Sequence, residues 1–396
     1  MSKEKSKSFI FKIALLSISM LLMAAPNIAA AIPLMSKTFI GQSASAIETI
    51  STIPNLGIIA GIFISSILTN LMGQKKTVML GLSIALVFGI TPVFVANYYI
   101  VLISRLLLGF GIGLFNSLAI SMISDFYEGD ELSTMMGFQN AVNSLGSSVL
   151  SFLVGYLITF GWHATFWIYA ISLPILIIFG MVIPNVKTEV KETTKASKHQ
   201  SINVPIMIIS ILTFFIYVFF MVVTVKLADL LTYKNIGTAS QAATILGGFT
   251  MVSMLVGLVY GLIHKFLKNS TLPLGFLVMT IGFLILANAN TLTWVTLGVI
   301  IIGLGFAVVI PYIYTMINTV APAGSKNLAS SIMLIFTNIG VFLSPTLINY
   351  LSGFLGNSQP DTNMKVCSVG FAILFVVSTI VLIYQKVSQG GKEIVK

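Results

Sequence analysis

Long apolar runs alternate along this chain with short polar joints. Twelve runs can be drawn, at about 9–35, 47–70, 77–96, 99–124, 134–160, 164–184, 203–230, 239–264, 271–289, 293–318, 326–353 and 364–385. A helix needs about 20 apolar residues to cross a bilayer, and these runs match that length. None shows the two-residue alternation of a transmembrane β-strand. The pattern predicts twelve membrane-spanning helices. Several runs exceed the minimum length, which implies tilt or helix ends outside the lipid.

A second pattern lies over the first. Gly81, Gly109, Gly111 and Gly146 recur at an offset of 194 residues as Gly275, Gly303, Gly305 and Gly340. Met122-Ile123 recurs as Met316-Ile317, and Tyr156-Leu157 as Tyr350-Leu351. The echo needs no gap between Gly81 and Leu157. It divides the chain into two similar bundles: residues 1–184, a linker at 185–202 rich in Lys, Thr and Ser, and residues 203–396. Repeats of this kind place a binding site at their interface, near the bilayer midplane.

Composition agrees with the pattern. Hydrophobic residues make up 57% of the 396 and charged residues 8%, with a mean hydropathy of +1.01. A soluble domain carries about 25% charge, so this chain belongs in lipid. The run from Phe9 to Met35 is too long for the apolar core of a secretory signal, and the first helix is expected to be retained. The single cysteine, Cys367, rules out an intrachain disulfide or a cysteine pair on a metal.

The net charge of +10 does not point to nucleic acid, because the lysines sit in the joints. An even number of spans puts both termini on one side. That side holds Lys3, Lys5, Lys7, Lys12, Lys75, Lys76, the linker lysines, Lys265, Lys268, Lys326, Lys386, Lys392 and Lys396; the other holds Lys37, Lys226, Lys234 and Lys365. Cytoplasmic joints carry the excess of lysine, so both termini are expected in the cytoplasm. Trp162, Trp167 and Trp294 then fall near outer helix ends, where aromatic residues anchor in the headgroup region.

Two local signatures add a family. Arg105-Leu106-Leu107-Leu108-Gly109 in span four matches R-x-x-x-G. Ser66 to Lys76, between spans two and three, keeps Gly73 and the basic pair of G-x-x-x-D-x-x-G-R-K, with Asn70 in place of the aspartate. With twelve spans and a repeat of six, the chain resembles the major facilitator superfamily in its bacterial, efflux-permease-like form. The resemblance implies an all-α integral membrane protein of twelve helices in two six-helix bundles related by pseudo-two-fold symmetry. It implies an antiporter-type secondary transporter driven by an ion gradient, H+ by default, with no cofactor and no catalytic or metal site. The family's G-x-x-x-G-P of span five is incomplete here, where the segment reads Gly146 to Ser151; this departure weakens the antiport expectation. The expected partners are a small molecule and the lipid of a cell inner or plasma membrane, with the protein a monomer.

Arg105 lies inside span four, and an arginine in lipid must face a cavity, find a partner or snorkel to the headgroups. Arg105, Gly109, Ile112 and Asn116 share a helical stripe, and Gly109 and Gly113 permit close helix contact. In the family, spans one, four, seven and ten line the cavity, which brings in Asn27, Asn116, Tyr217 and Tyr312; spans five and eleven add Asn140 and Asn338. Each can bond either substrate or a neighbouring helix. Lys226 and Asp229 share a face at the outer end of span seven. They form an outer gate, bind a proton at Asp229, or neutralise each other. Lys75 and Lys76 either pair with Asp125 and Glu128 as an inner gate or remain solvated. Glu48 is placed at an outer end, so no acid sits mid-span. Arg105 and Lys226 would then make the cavity slightly positive, suited to neutral or anionic amphipathic compounds. Pro26, Pro33 and Pro311 would let spans one and ten bend during gating.

The leading expectation is a proton-coupled exporter of a small amphipathic organic compound. An organic-anion carrier using Arg105 is the alternative. A membrane enzyme or sensor lacks the residues: no Ser-Lys dyad, no metal-ligand set and no G-x-x-x-x-G-K-[ST] pattern occur.

Overall fold

A computed structural model describes residues 8–184, 201–322 and 325–393. Apart from Ser201 and Ile202, the linker expected at 185–202 lies outside them. Helix α1 is a bent pair, Phe9–Leu21 and Ala25–Thr38. It is followed by α2 (Ala44–Met72), α3 (Gln74–Phe94), α4 (Tyr98–Phe126), α5 (Gly129–Phe160), α6 (His163–Val182) and α7 (Val204–Tyr233). Then come α8 (Ala239–Leu267), α9 (Thr271–Asn288), α10 (Leu292–Val320), α11 (Lys326–Gly353) and α12 (Pro360–Glu393). Helices α8 and α9 form one apolar stretch of 50 residues, far longer than a bilayer requires. Lys268, with φ 47° and ψ −125°, breaks it into two spans. The end of the protein that bears both termini is called the near end here, and the opposite one the far end.

The bend in α1 is 48° and lies just before Pro26. A proline in a helix removes one N–H and crowds the carbonyl four residues back, which is Leu22. The backbone on both sides of the bend tightens to 3₁₀ geometry, at Ile18–Leu21 and Ala25–Ala31. Pro26 thus stands at a fixed bend in α1. At the α2–α3 joint, Gly73 sits at φ 85° and ψ 160°, a conformation that side chains with a Cβ rarely adopt. That glycine is the best-kept residue of the span two–three motif.

Helix crossings explain the 194-residue echo. Gly81 of α3 and Gly111 of α4 approach so closely that a Cβ on Gly81 would lie 2.6 Å from the Gly111 carbonyl oxygen. Their counterparts Gly275 and Gly305 meet at the α9–α10 crossing, where a Cβ on Gly305 would lie 2.8 Å from the Gly275 oxygen. Gly146 packs on the backbone of Met20 in α1, and Gly340 packs on Phe214 in α7, the residue 194 positions after Met20. Lipid offers helices no hydrophobic drive to associate, so small residues at tight crossings hold a bundle together. The two six-helix bundles, α1–α6 and α7–α12, use matching contacts: α2 with α4 and α8 with α10, α3 with α6 and α9 with α12, α1 with α5 and α7 with α11. The bundles meet through α5 with α8 and α2 with α11, again a symmetry-related pair.

Described lysines of the near end are Lys12, Lys75, Lys76, Lys265, Lys268, Lys326, Lys386 and Lys392. Trp167 and Trp294 are 44% and 54% exposed near the far-end starts of α6 and α10, as interfacial anchors should be. Trp162 departs from that expectation. It is 5% exposed, stacks on His163 and packs on Phe39, and its Nε1 donates to Thr38. His163 in turn meets the Pro92 carbonyl at 2.7 Å. This pair ties the α5–α6 joint to α1 and α3.

Candidate functional site

Arg105 is fully buried and does not snorkel. Its Nε donates to the Ile50 carbonyl at 3.2 Å, one terminal nitrogen to the Tyr169 hydroxyl at 2.7 Å and the other to the Ala25 carbonyl at 2.5 Å. The guanidinium also lies over the rings of Phe166 and Tyr169. It thereby joins α4 to α1, α2 and α6. The bent helix α1 supplies one of these acceptors, the Ala25 carbonyl at the start of its second half. The R-x-x-x-G signature gains a physical meaning. One turn beyond Arg105, Gly109 lies against Pro54, one turn beyond Ile50; a Cβ there would fall 2.0 Å from the Pro54 oxygen. Arginine and glycine together set the register of α4 on α2. The side chain expected in the cavity is instead buried here, with three of its N–H groups bonded within the first bundle.

The far end holds the arrangement that the sequence reading missed. Lys226 does not pair with Asp229. Its Nζ donates to Glu48 Oε1 at 2.5 Å, with both side chains buried. Asn349 of α11 donates to Glu48 Oε2 at 2.8 Å and to Ser45 Oγ at 2.9 Å. Asn363 of α12 donates to the Asn349 Oδ1 at 3.2 Å. Glu48 belongs to the first bundle; Lys226, Asn349 and Asn363 belong to the second. Glu48 was placed at a helix end because span two was started at residue 47. Ser43 accepts from the Ala46 N–H and caps the helix, so α2 begins a turn earlier and draws Glu48 inside. That cap serine is the signal that would have found it. Asp229 is half-buried on the same helix as Lys226 and within electrostatic reach of Lys226 and Glu48.

Other bonds between the bundles gather at the same end. Thr52 donates to the Phe342 carbonyl at 3.3 Å. Ser148 donates to the Gly247 carbonyl and Ser240 to that of Gly155, where α5 and α8 pack through small residues. Towards the near end the same helices part. Gly137 of α5 and Gly257 and Gly261 of α8 have nothing within 4 Å of where a Cβ would be. Asn140, Tyr314 and Asn318 are exposed there. The bundles are thus sealed at the far end and open at the near end.

The remaining expected residues divide between packing and the opening. Asn27 donates to the Ser147 carbonyl at 3.2 Å and so joins α1 to α5. Asn338 bonds the Leu334 carbonyl of its own helix. Tyr217 stands edge-on to Phe306 and Phe220. Tyr312 lies beside His264, whose ring stacks near Tyr260. Asn116 is half-buried where α4 breaks at Ser117, and Asn140 is exposed. With the near end open, Lys75 and Lys76 make no ion pair with Asp125 or Glu128 among the described residues. Asp125 accepts from Gln74 at 2.8 Å, while Lys75 reaches the Gly180 carbonyl at 2.6 Å, near the negative C-terminal end of α6. Lys76 is exposed, as is Asn70 at the position of the family's aspartate.

Similarity to known proteins agrees with this architecture. The profile of the Major Facilitator Superfamily matches residues 13–345 and 207–393. An uncharacterized transporter of Rickettsia felis is 27% identical over 173 residues, 42% of each chain. The chain therefore spans less than half the length of that relative. A TsgA homolog of Buchnera aphidicola subsp. Schizaphis graminum is 22% identical over 351 residues, covering 87% of this chain and 88% of that one. Among solved structures, the nucleoside transporter NupG superposes with a TM-score of 0.77 at 12% identity, over 93% of this chain and 99% of that one. The inward-open xylose transporter XylE from E. coli gives 0.70 at 13% identity, over 93% and 95%. With the profile match running from α1 to α12 and a twelve-helix fold in two halves, the chain belongs to the Major Facilitator Superfamily, and it is a transporter rather than an enzyme.

Proposed function

We propose that this transporter is proton-coupled and exports a small, uncharged amphipathic organic compound by rocking its two bundles about a central site. The observation that carries the reading is the Glu48–Lys226 pair, which bridges the bundles at the far end only. A carrier that alternates must break such a bridge once per cycle. The lysine excess of the near end supports a cytoplasmic placement of the opening. Arg105 is enclosed by protein, and Lys226 is neutralised by Glu48. The open surface between the bundles therefore offers amides and tyrosine rings rather than unpaired cations, and this favours an uncharged substrate over the organic anion. Export follows the family resemblance.

The test uses inverted membrane vesicles and a panel of neutral, cationic and anionic dyes and organic acids, with and without a pH gradient. The reading expects accumulation of neutral amphipathic compounds inside inverted vesicles only when the interior is acidic. Transport that ignores the gradient contradicts proton coupling. Preferential transport of organic acids contradicts the substrate class, and efflux from the vesicles reverses the direction.

A further inference from the structure

We propose that Glu48, Lys226 and Asp229 form a one-proton switch, in which Lys226 exchanges one carboxylate partner for another as the far end opens. The switch goes beyond the proposed function: its proton leaves to far-side water and returns from it, so it sets the pH response of the far-end gate and is not the coupling step. Three ionisable groups meet at the far end of α7: two carboxylates and one ammonium. In a low-dielectric setting such a set tends to neutrality, which here requires one bound proton. The bonding says where that proton sits. Both oxygens of Glu48 accept, one from the Lys226 ammonium and one from the Asn349 amide, as an ionised carboxylate does. Asp229 therefore carries the proton while the far end is shut.

Separating the bundles removes Glu48 with α2 and leaves Lys226 and Asp229 together on α7. They are three residues apart and share a helix face. Lys226 then needs Asp229 as its counter-ion. The Asp229 O–H bond breaks, its electron pair stays on the carboxylate, and the proton passes to far-side water. Glu48 enters the same water and remains ionised. Closing reverses each step and takes one proton up.

Among the described residues, no neighbouring group offers a substitute. Lys37 of α1 is exposed. Lys234 is held by the Ala287 and Ala289 carbonyls. Asp361 and Lys365 of α12 pair with each other at 3.8 Å. Asn349 of α11 is uncharged, and the far-end turns of α8 and α10 contain no charged residue. The closed far end thus binds one proton more than the open one. Acid holds it shut and alkali opens it. A lock released by protonation of Glu48 would respond with the opposite sign.

The experiment measures far-end distances by double electron–electron resonance on the full chain in liposomes. Spin labels replace Ile40 and Phe354, which are 89% and 70% exposed on opposite bundles, in a Cys367→Ala background. The open-to-closed ratio is expected to rise about tenfold per pH unit through the transition, the linkage of a single proton. Asp229→Asn, close to isosteric, should retain two distance populations but lose the pH response. Glu48→Gln should favour the open population at every pH. An open population that grows in acid overturns the exchange and moves the proton to Glu48. Two populations indifferent to pH, or an unaltered response in Asp229→Asn, overturn the switch but leave alternating access standing. A single closed population at all pH values overturns alternating access itself.

Discussion

Glu48 and Lys226 lie 178 residues apart in the chain and 2.5 Å apart in space. The contact ties the second helix of one bundle to the first helix of the other, away from the open end. Removing one partner leaves a buried charge without its counter-ion, which costs about 3–5 kcal/mol, whereas replacing both is often nearly neutral. Lys226→Met alone should therefore lower the melting temperature of the purified protein markedly. Glu48→Gln combined with Lys226→Met should recover most of that loss. A double variant as unstable as the single one would mean that the pair is not a coupled unit.

Arg105 is expected to govern folding rather than substrate choice. Arg105→Ala removes three bonds that join α4 to α1, α2 and α6. Lysine cannot reproduce that planar fork, so Arg105→Lys should rescue little. Tyr169→Phe deletes the bond accepted from Arg105, worth about 1.5–3 kcal/mol, together with the bond its hydroxyl donates to the Ala24 carbonyl. Thermal melts of the three variants should fall in that order of severity, with Arg105→Ala lowest. A stable Arg105→Ala protein that has changed only its preference for anionic compounds would restore the cavity role.

The tight crossings make a graded prediction. Gly109→Ala would drive a Cβ into the Pro54 carbonyl, a backbone atom that cannot step aside. At the equivalent Gly303 the nearest atoms belong to the Phe249 ring, which can turn. Gly137 faces open space. Expression of folded protein, read by fluorescence-detected size exclusion, should drop sharply for Gly109→Ala and moderately for Gly303→Ala. Gly137→Ala should be unchanged or slightly raised, since alanine favours a helix.

The near end should tolerate change. Lys76 is exposed, and Asp125 is bonded to Gln74 rather than to a lysine. Lys76→Ala and Asp125→Asn are each expected to shift stability by about 1 kcal/mol at most, as exposed polar contacts do. A large loss of stability in either variant would point to a near-end gate after all.

The scaffold was readable in the sequence because its causes are local and periodic. Apolar runs gave the spans, Pro26 the bend in α1, and Gly81, Gly146 and their echoes the repeated crossings. The site was readable only in part. Arg105 stood out as a charge in lipid, but the Ile50 and Ala25 carbonyls that satisfy it are backbone atoms, invisible to side-chain patterns. Lys226 is legible as a charge, but its partner in this closed far end is not: Asp229 is near in sequence, whereas Glu48 is near only after two bundles dock. A boundary drawn three residues late is enough to put Glu48 at the very end of its helix.

The central claim is that the far end, shut here by Glu48 and Lys226, opens during transport. Ser45 and Asn349 touch across the two bundles at 2.9 Å. A Ser45→Cys/Asn349→Cys pair in the Cys367→Ala background can be bridged by mild oxidation. Transport would be followed with a dye selected in the vesicle panel, and each single-cysteine variant would serve as a control. The account predicts that oxidation abolishes transport in the double variant alone and that reduction restores it. Full transport by the cross-linked protein would contradict it.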